Sequence, residues 1–297
     1  MAASFKTIGL IGRRGNPEVA DSVAAVETFL ATSGVGIFVE DRTAELLVDC
    51  PHETLSRTDL GSRCDLIIVV GGDGSLLGVA RDLAHAGVPV LGVNRGGLGF
   101  LADIPPEHIG TELQAVLNGE FKIEAHFLLD ARVIRDGQEI DRSPALNDVV
   151  VHPGSMARMM EFSLKVNDEY VYDQRSDGLI VASPTGSTAY ALSAGGPIMH
   201  PTLDAIVVVP MFPHTLTSRP LVVPGDSVIS VIVGAGRSTT TQASYDSQVN
   251  TQLELGDEVR ISKYHTPLKL LHTLGHSFYE SCRSKLDWAS RVGNRSE

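Results

Sequence analysis

The chain has 297 residues, of which 43% are hydrophobic and 20% are charged, and its 24 basic and 36 acidic side chains give a formal net charge of −12. This length suffices for one large domain or two smaller ones, and the composition excludes disorder as the main state. The acidic balance argues against broad electrostatic binding to nucleic acid or to an anionic membrane.

The cysteines and the apolar runs indicate the compartment. Cys50, Cys64 and Cys282 are odd in number and form no CxxC pair, which excludes a disulfide scaffold and a zinc-type spacing. The sequence has no apolar run of about 18 residues and no charged head followed by an apolar stretch at its start. We therefore expect a cytoplasmic protein with reduced thiols.

The first hundred residues alternate short apolar runs with helical patterns. The runs predict strands over 7–11, 36–39, 65–70 and 88–93, and the patterns predict helices over 17–31 and 75–86. Strands with continuous apolar character suit a parallel sheet that is covered on both faces. This alternation predicts a Rossmann-like α/β domain with right-handed crossovers.

After about residue 120, strand patterns dominate. Short apolar runs separated by turn signals predict strands over 127–134, 149–152, 161–166, 178–182, 206–209, 228–233 and 258–261. We therefore expect an α/β domain over 1–122 and a mostly β domain over 123–271. The tail, 272–297, is predicted to form a helix from about Ser277 to Trp288 and to return to the first domain.

A glycine-rich loop, Gly71-Gly72-Asp73-Gly74, ends a predicted buried strand and opens a predicted helix. Glycines let backbone N–H groups approach phosphate oxygens, and a helix N-terminus favours anions. Because a carboxylate repels phosphate, Asp73 needs a role there, and it can take a proton from a hydroxyl, hold magnesium, or do both. The alternative is an ordinary turn in which Asp73 caps the helix.

Other phosphate loops and hydrolase motifs are missing from the sequence. It contains no Gly-Lys dipeptide and therefore no Walker A loop, and Gly9-Leu10-Ile11-Gly12 lacks the spacing of a dinucleotide fingerprint. It also has no G-x-S-x-G and no H-E-x-x-H motif, which argues against an acyl hydrolase and a zinc protease.

Two further segments have unusual polar residues next to predicted strands. Asn147-Asp148 precedes a β-branched run; an Asn matches the donor and acceptor edge of adenine, and an Asp suits ribose hydroxyls. The segment 175–197 combines a strand, a Pro-Thr-Gly-Ser turn and a short helix, with Tyr190 available to stack on a ring. The alternatives are an Asx turn and a Ser/Thr-rich turn with ordinary caps.

The loop at 71–74, the pair at 147–148 and the stretch 177–197 occur in the order that is typical of the NAD kinase family, which the sequence resembles over nearly its whole length. The resemblance includes 94–101 and 214–220. Diacylglycerol and sphingosine kinases share GGDG alone, so the joint occurrence carries the resemblance. It implies an N-terminal α/β domain and a C-terminal β-rich domain with NAD bound between them, usually in a homotetramer or dimer.

The resemblance also implies the reaction, in which ATP phosphorylates the 2′-hydroxyl of the adenosine ribose of NAD to give NADP. Asp73, between Gly72 and Gly74 of the nucleotide-binding loop, matches the catalytic aspartate that would orient and deprotonate this hydroxyl. Magnesium would neutralise the triphosphate, so a basic surface is unnecessary. Asn147 and Asp148 match the residues that contact adenine and ribose, although the usual family pair is Asn-Glu, which is longer by one methylene.

The remaining expected binding residues follow from the same resemblance. Asp177 matches an aspartate near the nicotinamide carboxamide, and Arg175 resembles the arginine that accompanies preference for NAD over NADH, and for ATP over polyphosphate, in Gram-negative-type members. The positions that match the cofactor pocket are Thr188, Ala189, Tyr190 and Ser193.

Two alternative functions stay open at this point. Another GGDG kinase would act on a lipid or a sugar, and a non-catalytic sensor would bind NADP without turning over ATP. His272 and His276 are four residues apart, but Gly275 between them and the lack of a nearby acidic residue in the sequence argue against a metal site.

Overall fold

The computed structural model describes residues 5–95, 99–154, 159–234, 240–286 and 288. The chain forms two compact units: an N-terminal unit, Met1–Glu124 with Lys269–Glu297, and a C-terminal unit, Ala125–Leu268. Among the described residues, no helix combines the length and the apolar character needed to cross a membrane.

The strands in chain order are β1 Thr7–Gly12, β2 Gly36–Glu40, β3 Glu53–Leu55, β4 Leu66–Gly71, β5 Pro89–Asn94, β6 Phe121–His126, β7 Leu129–Arg135, β8 Gln138–Ala145, β9 Asp148–Pro153, β10 Met160–Val166, β11 Glu169–Ser176, β12 Gly178–Ala182, β13 Ala205–Met211, β14 Leu221–Pro224, β15 Ile229–Val233, β16 Thr241–Tyr245, β17 Val249–Leu253, β18 Glu258–Lys263 and β19 Leu268–Thr273. The helices are α1 Pro17–Thr32, α2 Arg57–Arg63, α3 Asp73–Asp82, α4 Ile109–Leu117, α5 Tyr190–Ser193 and α6 Phe278–Lys285.

The N-terminal unit is built on one sheet with the order β3-β2-β1-β4-β5-β19-β6. The pairings of β1 with β2 and β4, of β2 with β3, and of β5 with β4 and β19 are all parallel. All six residues of β4 are buried, as expected for a strand covered on both faces. The strand order reverses between β1 and β4, which makes the carboxyl ends of these strands the expected ligand site.

Helix α1 shows how the sequence determines these elements. Asn16 caps the helix by accepting a hydrogen bond from the Glu18 N–H at 3.0 Å, and a proline occupies the first turn, where its missing N–H costs nothing. Val23 and Val26 lie on the helix face that is buried against the sheet, together with Leu30. The apolar residues whose spacing predicted the helix therefore form the face that packs against the sheet.

The C-terminal unit consists of two six-stranded antiparallel sheets with the orders β11-β10-β15-β18-β7-β8 and β14-β13-β12-β9-β16-β17. One apolar cluster contains buried residues of both sheets, such as Phe162 of the first and Tyr245 of the second. In the second sheet, β9 pairs with β12 so that Asp148 lies opposite Ala182. The residues just before β9 and just after β12 therefore meet at one end of this sheet.

The fold class predicted from the sequence is confirmed, but several elements were not predicted. These are strands β3, β6, β8, β11, β14, β16, β17 and β19 and helices α2 and α4. Strand β19 joins the first sheet shortly before the tail helix α6. Strand β19 lies between β5 and β6 in the sheet and pairs with β5, which is far away in the sequence, so no local pattern indicates this position. Helix α3 begins at Asp73, two residues before the predicted start at Ser75.

Candidate functional site

The glycine-rich loop lies at the switch point of the N-terminal sheet. It follows β4, and Gly72 takes the N-cap position of α3 with an extended backbone. The N–H of Arg13, just after β1, donates to the Val70 carbonyl at 3.1 Å, and the N–H of Arg95, just after β5, donates to the Gly71 carbonyl at 3.0 Å. The chain segments that leave three neighbouring strands therefore surround the loop at the carboxyl edge of the sheet.

The Asp73 carboxylate is held by a second loop. It accepts hydrogen bonds from the backbone N–H groups of Phe100, at 2.5 Å, and of Leu101, at 3.1 Å. Because Gly72 occupies the cap position, Asp73 is not the helix cap that the alternative interpretation proposed. The carboxylate is partly buried and fixed in place by main-chain donors, as a positioned base requires.

Gly99 makes this arrangement possible. A Cβ atom at this position would overlap the Asp73 carboxylate, so only glycine lets the loop approach closely enough to donate its N–H groups. This loop belongs to the segment 94–101 on which part of the family resemblance rests; residues 96–98 lie outside the described residues.

Replacement of Gly99 tests whether the geometry of Asp73 matters for turnover. We expect Gly99→Ala to lower kcat about 10- to 100-fold, because the added methyl group displaces either the loop or the carboxylate. Steady-state kinetics of the phosphoryl transfer that the family resemblance implies measure this effect. Gly275→Ala is the matched control, since a Cβ there meets no atom within 4 Å. Equal kinetics for both variants would contradict the expectation.

The C-terminal segment of the N-terminal unit packs against the same loop. The Phe100 ring lies 6.5 Å from that of Phe278 in α6, and the Lys285 Nζ lies 4.8 Å from the centroid of the Phe100 ring. Farther along the loop, Asp103 accepts hydrogen bonds from the Nδ1 atoms of two histidines, His272 and His276, the latter at 2.8 Å. The loop that fixes Asp73 is thus anchored by the end of the chain.

The sequence-based statement that His272 and His276 lack an acidic partner is wrong, because Asp103 lies between them. Burial alone would raise the pKa of Asp103, but the hydrogen bonds from the two histidines outweigh it and hold this pKa below its usual value. The imidazole rings stack at 3.8 Å with an angle of 14° between their planes, and the Nδ1–H groups of both rings point to the Asp103 carboxylate. Because these N–H groups are committed to Asp103, the three side chains form a hydrogen-bonded anchor for the loop.

The C-terminal unit brings two of the predicted binding segments together. The Ser183 N–H donates to the Asn147 carbonyl at 2.9 Å, and a Cβ at Gly186 would overlap the same carbonyl. The turn after β12 therefore lies directly against the residue before β9. This turn leads into the predicted pocket residues: Thr188 ends a 3-10 turn, Ala189 follows it, and Tyr190 and Ser193 are the exposed first and last residues of α5.

Asp246 fixes the backbone of the Asn147-Asp148 pair. Its carboxylate accepts hydrogen bonds from the N–H groups of Leu146 at 3.0 Å, Asn147 at 2.7 Å and Asp148 at 3.2 Å. Asp246 has a positive φ of 50°, in a turn between β16 and β17. The sequence reasoning did not identify this residue, because an Asp in a tight turn carries no signal of a partner about a hundred residues away.

Asp148 is the most unusual titratable group of the unit. Its side chain is 3% exposed, and its Oδ1 has no hydrogen-bond partner among the described residues. Burial and the neighbouring charge of Asp246 raise the pKa of Asp148 to about 7. A buried carboxyl oxygen without a donor is available to a hydroxyl group of a ligand.

The raised pKa predicts how Asp148 affects stability. Because the folded state binds this proton more tightly than the unfolded state, the free energy of unfolding falls as the pH rises from about 4 to about 7. Asp148→Asn removes this dependence, so at pH 8 we expect the variant to be more stable than the parent chain, by at most about 4 kcal/mol. Near pH 4 the two proteins should differ little.

Urea unfolding at pH 4.5 and pH 8 measures this difference. Asp168→Asn serves as the control, because Asp168 is an exposed turn residue of the same unit with a positive φ that asparagine also adopts. If Asp148→Asn kept the pH dependence of the parent chain, the ionisation of Asp148 would not be its cause.

Arg175 lies near the end of β11, and Asp177 lies between β11 and β12. Arg175 is exposed, pairs with Glu161 at 3.2 Å, and lines a cavity of about 490 Å³ that also includes Asp173 and His214. None of the other predicted binding residues is part of that lining. The Asp177 N–H donates to the Met211 carbonyl at 2.9 Å. The structure therefore groups Asn147 and Asp148 with the turn after β12, and Arg175 with a separate cavity.

A carboxylate fixed beside a glycine-rich loop at the switch point of a parallel sheet is the arrangement expected of a phosphotransferase. Comparison with known proteins specifies the class. The model of the ATP-NAD kinase N-terminal domain matches residues 8–121, and that of the ATP-NAD kinase C-terminal domain matches residues 146–273. The chain belongs to the NAD kinase family.

Curated relatives match over almost their full length. The NAD kinase of Pseudomonas fluorescens strain SBW25 is 52% identical over 289 residues, which cover 97% of this chain and 98% of the relative. The NAD kinase of Teredinibacter turnerae is 51% identical over 291 residues, which cover 98% of this chain and 99% of the relative. These matches support NAD kinase function for this chain and distinguish it from the lipid and sugar kinases that share GGDG.

Solved structures show the same fold. A yeast NADH kinase in complex with NADH superimposes with a TM-score of 0.88 at 24% identity, covering 97% of this chain and 89% of that chain. An NAD kinase from Archaeoglobus fulgidus in complex with ATP superimposes with a TM-score of 0.72 at 25% identity, covering 97% of this chain and 100% of that chain.

Proposed function

We propose that this chain transfers the γ-phosphoryl group of ATP to the 2′-hydroxyl of the adenosine ribose of NAD, with Asp73 as the base. The observation that carries this assignment is the Asp73 carboxylate, which two backbone N–H groups hold at the switch point of the sheet. The ATP and NADH that the two neighbouring structures contain agree with the two substrates.

The proposed step needs only one proton acceptor. The ribose oxygen attacks the γ-phosphorus, the bond from that phosphorus to the β–γ bridging oxygen breaks, and ADP leaves. The hydroxyl proton passes to the Asp73 carboxylate. Alignment of the reacting oxygen and the neutralisation of charge supply most of the catalysis in such reactions, so a fixed carboxylate that accepts the proton suffices.

We propose that NAD binds to the group formed by Asn147, Asp148 and the turn after β12. The backbone carbonyl of Asn147 accepts the hydrogen bond from Ser183, and the Asn147 side chain is proposed to bind adenine. The unpartnered Oδ1 of Asp148 suits a ribose hydroxyl. Further contacts are proposed from Thr188, Ala189, Tyr190 and Ser193, and from Asp177 and Arg175 towards the nicotinamide half. Gly72 and Gly74 are proposed to face the phosphates.

Magnesium is proposed to arrive with ATP. Among the described residues, each group of three possible metal ligands within 4.8 Å of one another contains two histidines, and none contains Asp73. The side chains therefore do not form an oxygen-rich magnesium site by themselves. The triphosphate oxygens and water would supply most of the ligands.

Replacement of Asp73 tests the base. We expect Asp73→Asn to lower kcat about 10²- to 10⁴-fold, the range of general-base catalysis, because the amide keeps the shape of the side chain but takes up no proton. NAD binding, measured by calorimetry, should stay within a few-fold of the parent value. Asp82→Asn, at the opposite end of α3, is the control and should keep its activity.

Three results, from this variant and from assays of the parent chain, would contradict the proposal. Near-normal kcat in Asp73→Asn would remove Asp73 from the base role. Tight binding of NADP by the parent chain without any turnover of ATP would indicate a sensor. Phosphatidate formation from diacylglycerol, in place of NADP formation from NAD, would indicate a lipid kinase.

We also propose that the chain acts in the cytoplasm as a homotetramer or homodimer. The described cysteines Cys50, Cys64 and Cys282 are all free, which suits a reducing compartment. The oligomer is expected from the family, and sedimentation velocity of the purified chain measures it; a monomer at micromolar concentration would contradict it.

A further inference from the structure

One ammonium group near the proposed base has no role in the mechanism above. Lys285 ends α6, and its Nζ lies 4.8 Å from the centroid of the Phe100 ring. The N–H of Phe100 is one of the two donors that hold Asp73, at 2.5 Å. A cation is therefore fixed against the same residue that fixes the proposed base.

This ammonium is partly buried and has no carboxylate contact. Among the residues that the structure describes, no Asp or Glu oxygen lies within 4 Å of its Nζ, whereas Arg283 of the same helix is exposed and pairs with Glu280. Burial lowers the pKa of Lys285, and the more distant charges of Asp73 and Asp103 only partly oppose this effect. An anionic ligand therefore stabilises this partly buried cation more than it would stabilise a fully hydrated cation.

The position of Lys285 near the proposed base indicates that its anionic ligand is a phosphoryl group. A phosphoryl group that is attacked by an oxygen bound to Asp73 must lie next to Asp73, and its negative charge must be neutralised there. A compact ammonium on a flexible stem suits such a phosphate, and the Phe100 face holds it in place by a cation–π contact. The two anchoring histidines, by contrast, are committed to Asp103.

We propose that Lys285 binds the γ-phosphoryl group of ATP, so that the end of the chain completes the phosphate site of the N-terminal unit. The proposal rests on the proposed role of Asp73, since Lys285 is assigned to the terminal phosphate because it lies against Phe100, whose N–H holds Asp73. It adds an ammonium group to the glycine-rich loop and the Asp73 carboxylate.

Comparison of triphosphate and diphosphate binding tests this assignment. In Lys285→Met, which keeps most of the apolar stem, we expect ATP affinity measured by calorimetry without NAD to fall on the order of ten- to a hundredfold. ADP affinity should change less than about threefold, because ADP lacks the phosphate that Lys285 contacts. The kcat of NADP formation should fall as well, with little change in the KM for NAD.

Lys285→Arg keeps the charge and should keep the preference for ATP over ADP, and Arg283→Met removes a charge from the same helix and should leave all constants unchanged. If Lys285→Met fails to fold, as judged by its melting temperature, the ratio of ATP to ADP affinity in Lys285→Arg and Lys285→Gln decides instead. Equal losses of ATP and ADP affinity, or no loss of either, would overturn the proposal.

These results are independent of the test of Asp73. A chain in which Asp73→Asn keeps full turnover, while Lys285→Met loses its preference for ATP, would refute the base and support the phosphate contact. A normal ATP preference in Lys285→Met together with a loss of turnover in Asp73→Asn would refute Lys285 alone.

Discussion

The proposed activity depends on two backbone N–H groups that hold one carboxylate. Phe100 and Leu101 donate to Asp73, and both donors lie in a loop that returns to the sheet where the Ile104 N–H bonds the Gly92 carbonyl at 3.2 Å. Main-chain donors lack side-chain rotamers, so little entropy is lost when they fix the acid. The cost is steric, since the loop must come so close that residue 99 can have no side chain.

The key carboxylates of the two units differ in how fully they are hydrogen-bonded. Asp73 has a donor for each of its oxygens, so it is fixed before any ligand arrives. Asp148 is buried beside a second acid and keeps one oxygen without a donor. Its ionised form destabilises the empty fold, and a ligand that donates a hydrogen bond would relieve that penalty. The first arrangement suits a positioned base, and the second suits a binding group.

The sequence was sufficient where the signal is local. Apolar periodicity predicted α1 and the buried strand β4, and glycine content together with strand position predicted the loop at Asp73. It was insufficient where a role depends on a distant partner. Asp103 lies 169 residues from His272, and Asp246 lies 98 residues from Asp148, so neither pairing leaves a pattern in a single sequence. Strand β19 was missed for the same reason, since only its neighbours in the sheet define it.

The segment from β19 to α6 holds the loop that fixes Asp73. Strand β19 pairs with β5, and the residues after it carry both histidines that hold Asp103 and the lysine that lies over Phe100. The loop of Asp73 is therefore fixed on one side by β5, which precedes it, and on the other by residues that follow β19. Because the N-terminal unit combines Met1–Glu124 with Lys269–Glu297, the contacts around Asp73 form only when both segments have folded together. This topology links the geometry of the base to the integrity of α6, although the two are about two hundred residues apart in the sequence.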